Sequence, residues 1–142
     1  MSRRNFTVDD SSLTLKAAGL IAASAAGSVI ADLGSGFVEG NLVIDVTALD
    51  IDGNNELYDI VLQLSPDALF DTDTNIVEKC AINLSAAEVK RTDANVDDAI
   101  GRYIVPFNNM YQTSYYRYAR IYTVAAGAGI STGINYTCRI AK

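Results

Sequence analysis

The chain has 142 residues, of which 49% are apolar and 20% charged, with a net charge of -6, and this suits one domain whose core is large enough to offset the entropy of ordering the backbone. Histidine and tryptophan are absent and cysteine occurs only as Cys80 and Cys138, which excludes a Ser-His-Asp or Cys-His constellation and a zinc site built from histidines or four cysteines. All 17 acidic groups lie within residues 1–100, whereas from Gly101 onward Arg102, Arg117, Arg120, Arg139 and Lys142 stand without an acid. Either strands from the two halves interleave and neutralise each other, or the last segment forms a basic face for an acidic partner.

In chain order, Ser2-Arg3-Arg4-Asn5-Phe6 resembles a twin-arginine export signal, with the uncharged stretch Ala17–Ala31 as its apolar core. Asp9 and Asp10 oppose that reading, and 15 small-residue-rich positions are too few to span about 30 Å of hydrocarbon. Residues 1–12 are therefore expected to form an N-terminal arm carrying Arg3 and Arg4, ahead of a single β-sandwich within 1–142.

Alternation of apolar and polar residues then marks strands over Leu13–Ala17, Ser28–Ala31, Leu42–Thr47, Tyr58–Leu64 and Ile76–Leu84. Asp52-Gly53-Asn54-Asn55 is expected to close a β-hairpin between the third and fourth of these. Ser85-Ala86-Ala87-Glu88 has capping-box spacing and predicts one helical turn, followed by a polar surface loop over 90–98. Strands over Arg102–Phe107, Tyr115–Val124 and Ile134–Ile140 complete the chain. About eight short antiparallel strands separated by turn residues predict an all-β, jelly-roll-like sandwich; an immunoglobulin-like sandwich is the rival, although its Cys, Trp, Cys pattern is missing.

Several candidate sites dissolve on inspection. Asp50-Ile51-Asp52-Gly53-Asn54-Asn55-Glu56 has oxygen ligands at alternate positions, yet Asn55 and Val61 stand where an EF-hand needs glycine and glutamate. The pairs Gly34/Gly36 and Gly127/Gly129 lack the strand, loop and helix context of a phosphate cradle. Asp71 with Asp73, and Asp97 with Asp98, read as solvated loop acids, not a glycosidase pair. Cys80 and Cys138 sit in apolar alternations and read as buried free thiols, with a mutual disulfide as the alternative. No catalytic residue, cofactor or metal is expected, and the chain reads as a binding or structural unit, not an enzyme.

The segment Tyr111–Tyr122 is the unusual one, with five of the eight tyrosines. As a continuous strand it places Tyr116, Tyr118, Arg120 and Tyr122 on one face and Tyr115, Arg117, Ala119 and Ile121 on the other. Tyrosine and arginine at this density fit a protein interface, ordinary sheet packing, or single-stranded nucleic acid; the acidity of the whole chain argues against the last.

The order of segments resembles the jelly-roll cement, or staple, proteins that decorate the heads of short-tailed bacteriophages. The resemblance is carried by Val29-Ile30-Ala31-Asp32-Leu33-Gly34, Leu42-Val43-Ile44-Asp45-Val46, Tyr58-Asp59-Ile60-Val61-Leu62-Gln63-Leu64-Ser65 and the Tyr/Arg-rich penultimate strand. It implies a structural protein, assembled in the host cytoplasm onto the exterior of a virion, that binds the major capsid protein and cements neighbouring capsomers, often as a dimer, with no membrane or nucleic acid partner. The contact elements expected on that basis are Arg3 and Arg4 of the arm and Tyr115, Tyr116, Arg117, Tyr118, Arg120 and Tyr122. A carbohydrate-binding or adhesin-like sandwich, stacking exposed tyrosines on sugars, is the competing function.

Overall fold

The computed structural model describes residues 9–71, 75–90 and 97–141, with the backbone alone at 9–12 and 90. The strands run β1 (Asp9–Lys16), β2 (Leu20–Ile21), β3 (Ala25–Ala26), β4 (Ala31–Asp32), β5 (Glu39–Leu49), β6 (Leu57–Ser65) and β7 (Val77–Ser85). A single helical turn, α1 (Ala87–Lys90), precedes β8 (Gly101–Asn108), β9 (Met110–Tyr111), β10 (Ser114–Tyr115), β11 (Tyr118–Ala126) and β12 (Ile134–Ala141).

These strands form two antiparallel sheets. One has the order β1-β12-β5-β8 with β2 beside β12; the other has the order β3-β11-β6-β7 with β4 beside β11; β9 and β10 form a separate hairpin. The all-β sandwich expected from the alternation is the architecture found. Between the sheets lie Leu13 and Leu15 of β1, Leu42, Ile44 and Val46 of β5, and Ile134, Tyr136, Cys138 and Ile140 of β12, packed with Tyr58, Ile60, Leu62 and Leu64 of β6, Leu84 of β7 and Ala119 and Ile121 of β11. Each aliphatic side chain so buried contributes about 1.5–3 kcal/mol. Two phenols enter this core with their hydroxyls satisfied: Tyr136 shares a 2.5 Å hydrogen bond with Thr123, and Tyr58 donates to the Asp50 carbonyl at 2.8 Å.

One set of pairings is nested, while β5–β12 and β6–β11 join that set across each sheet. β1 pairs with β12, β3 and β4 with β11, β5 with β8, and β6 with β7, so that first meets last and the partners close inward along the chain.

Local expectations fail where this long-range pairing takes over. The hairpin between β5 and β6 does not form: β5 pairs with β12 and β8, and β6 with β11 and β7, so Asp50–Glu56 is a corner that carries the chain from one sheet to the other. Asp9 pairs with Ala141, which removes 9–12 from the expected arm. The helical turn after β7 exists without its capping box. Ser85 Oγ donates to Asn83, while Asp97 accepts the Ala87 amide at 2.8 Å and Asp98 accepts the Ser85 amide at 2.8 Å. Asp97 thus caps the turn and Asp98 holds the end of β7, so neither is merely a solvated loop residue; Asp73 lies outside the described residues. The cysteines are free thiols, Cys138 buried on β12 and Cys80 half-buried on β7, and burial pushes the Cys138 thiol up to about 12.

Candidate interaction surface

The charge asymmetry resolves into ion pairs between the two halves of the chain. Asp45 of β5 accepts from Arg102 Nε at 2.6 Å and from Arg139 Nη1 at 2.9 Å, because β5 lies between β8 and β12. Asp32 of β4 takes a two-pronged contact from Arg117, Nε and Nη2 each at 2.8 Å. The Arg117 guanidinium beside it holds the Asp32 carboxyl down at about 2. Interleaving therefore neutralises three arginines of the acid-free segment.

The Tyr/Arg segment does not form one strand. It breaks at Tyr116 and Arg117, between β10 and β11, because Gln112 takes a left-handed φ of 54° and turns the β9–β10 hairpin. The two-face assignment holds only inside β11, where Ala119 and Ile121 are buried while Tyr118, Arg120 and Tyr122 are half-buried on the outer face. Tyr116 leaves that face and packs against the core, with its ring 6.4 Å from Tyr111. Tyr115 moves to the hairpin, 52% exposed, and Arg117 turns to Asp32. Arg3 and Arg4 lie outside the described residues.

What the break creates is an aromatic tip at one end of the sandwich. Phe37, from the loop between β4 and β5, stands 5.9 Å from Tyr115, ring centroid to ring centroid, and both are exposed together with Met110 and Tyr111. The tip is mounted on Asn109, which is fully buried. Its side chain accepts from the Val38 amide at 2.8 Å and donates to the carbonyls of Gly36 at 2.8 Å and Tyr116 at 3.0 Å. Its backbone amide donates to the Val38 carbonyl at 3.0 Å, and its carbonyl accepts from the Tyr116 amide at 2.9 Å. One residue thus ties the Phe37 loop to the hairpin, so the exposed rings are held on a rigid base, the arrangement that lowers the entropic cost of binding. Periodicity gives no sign of Phe37, Met110 or Asn109; an aromatic residue directly after Gly34-Ser35-Gly36 was the one available signal.

The opposite end is built from acids that serve the backbone. Asp50 Oδ2 accepts the amides of Ser131 at 2.7 Å and Thr132 at 2.8 Å. Glu56, fully buried, accepts the amides of Gly53 at 2.9 Å and Asn55 at 3.2 Å. These carboxylates are spent on holding the corner and are not arranged around a cation. Among the described residues no three His, Cys, Asp or Glu side chains converge as metal ligands. The Gly127 and Gly129 pair packs against Asn55 and Glu56, where a Cβ would strike their atoms, so these glycines are close-approach positions of the same corner. No protein-family model matches this chain, and a search of curated proteins finds no match for it.

Proposed function

We propose that this protein is a structural component of a bacteriophage virion that binds the exterior of an assembled major-capsid lattice and cements neighbouring capsomers, with a dimer as the bridging unit. The observation that carries the reading is the tip of Phe37, Met110, Tyr111 and Tyr115, an exposed aromatic-rich patch held rigid by Asn109. The nested pairing of strands also supports a jelly roll, a double-sheet architecture found in capsid proteins. In this reading each copy recognises only the assembled lattice. Many weak contacts then stabilise that state by mass action against expansion and internal pressure.

The test is co-sedimentation of the protein with purified heads, and the heat resistance of heads assembled with and without it. Heads carrying the protein should break at a higher temperature. Joint substitution of Phe37→Ser and Tyr115→Ser should weaken attachment by about 30-fold, as expected for losing two aromatic anchors, and leave the fold's own melting temperature nearly unchanged. Heads equally stable without the protein would sink the idea. The carbohydrate reading finds support in the same Phe37 and Tyr115 rings, whose exposed faces suit stacking on a sugar; selective binding on a glycan array with no attachment to heads would favour it.

A further inference from the structure

We infer that Arg120 is a pre-oriented guanidinium fork that receives an acidic side chain of the protein partner, an inference that rests on the interface reading above. Of the four arginines among the described residues, Arg102, Arg117 and Arg139 hold carboxylates within the chain and Arg120 does not. Its Nε donates to Gln63 Oε1 at 2.9 Å, and its guanidinium carbon lies 4.5 Å from the Phe70 ring centroid. A guanidinium stacked on a ring and tied through Nε has its plane set, with its two terminal nitrogens left as parallel donors, the geometry that matches a carboxylate.

Two further features support a built site. Phe70 is buried although its backbone has a φ of 53°, a left-handed conformation that a bulky side chain rarely adopts and that persists where surrounding structure enforces it. That conformation, in the turn closed by the Phe70 amide and the Asp67 carbonyl, brings the ring beneath Arg120. Secondly, Arg120 lines a surface concavity of about 500 Å³ with Gln63, Ile76, Glu78 and Tyr122. Glu78 stands in the same hollow, yet the Gln63 amide lies between it and Arg120, accepting from the arginine and donating to Glu78 at 3.4 Å. The glutamine thereby stands between the guanidinium and the carboxylate that shares its hollow. A small free anion meets repulsion from Glu78, whereas a protein segment bearing an acid next to a basic side chain satisfies both charges.

The test combines attachment to heads with a direct reading of the arginine. R120Q should weaken co-sedimentation with purified heads about 30-fold, as for one partner lost from a desolvated charge pair. R120K should fall almost as far, since an ammonium cannot present two parallel donors. Separately, the Nε–H resonance of Arg120 in the intact protein is followed as a capped Ala-Glu-Ala-Lys peptide is added, against sodium chloride at matched ionic strength and against sialic acid. A saturating shift with the peptide, while the Arg102 and Arg117 resonances stay still, supports the fork. Wild-type attachment matched within two-fold by R120Q overturns the fork and leaves the capsid reading standing. Failure of the wild type to attach, with the peptide shift retained, overturns the capsid reading instead. An unmoved Arg120 resonance overturns the fork, and a larger response to sialic acid overturns a protein side chain as its occupant.

Discussion

At the scale of single residues, Asp50 carries more of the fold than its loop position implies. Besides the two short amide contacts, Oδ2 lies within 3.0 Å of Ser131 Oγ, 3.4 Å of Thr132 Oγ1 and 3.4 Å of the Gly133 amide. The amides of Thr132 and Ser131 hold its carboxyl well below the usual carboxylate range. A carboxyl whose pKa is depressed by folding contributes its stability fully above the ordinary value near 4 and loses it progressively as the pH falls below that. Asp50→Asn should therefore destabilise the protein at pH 7 by about 2 kcal/mol, the scale of losing hydrogen bonds to a charged group. The gap between wild type and variant should narrow as the pH falls from 4 toward 2; thermal melts at pH 7, 4 and 2.5 measure this, and a gap independent of pH contradicts it. The sequence marks Asp50 as an acid in a turn-rich run. It cannot show that its donors lie some 80 residues away, because that distance is closed only by the packing of two sheets.

At the scale of elements, strand faces were legible and strand partners were not. The inward positions of β5, β6 and β12 follow from alternation alone, since a sheet with one buried face imposes a period of two. The same rule misassigned Tyr116, because it assumes an unbroken strand, and the break depends on a left-handed turn at Gln112 and on Asn109 holding both sides of it. Asn109→Ala should cost about 2 kcal/mol, since it leaves the Val38 amide and two part-buried carbonyls without their partner. Urea unfolding measures the loss. Hydrogen exchange should show the hairpin amides around Tyr115 losing protection before those of β11, and uniform loss across the sheet would contradict a local latch. The exposed sheet edges also follow known rules: Pro106 sits on edge strand β8, where a missing amide is tolerated, and β7 carries a bulge beside Glu78 and Lys79.

At the scale of the whole molecule, the last strand is structural and central. β12 lies between β1 and β5 and gives the core Ile134, Tyr136, Cys138 and Ile140. It also anchors the start of the chain, where Lys16, nearly buried, donates to the Tyr136 carbonyl at 3.0 Å and to those of Ala17 at 2.9 Å and Gly19 at 3.0 Å, 4.4 Å from the Tyr136 ring centroid. Removing residues 131–142 should therefore abolish folding outright, read as loss of the β signal in circular dichroism, while the full chain should refold slowly, in milliseconds to seconds, because its pairings close long loops. A folded truncated chain would show that β12 is dispensable. The sequence by itself determined the class of fold and the long strands β5, β6, β7, β8 and β12, with the apolar side of β5, β6 and β12, and it excluded histidine-dependent chemistry, because composition and period-two alternation are local properties of the chain. Tertiary structure alone decided the pairing of strands, the neutralisation of Asp32 and Asp45 by arginines of the last segment, the aromatic tip around Asn109 and the seat of Arg120 on Phe70. Each of these joins residues from separate stretches of the chain, and their adjacency exists only once the sheets have closed on one another.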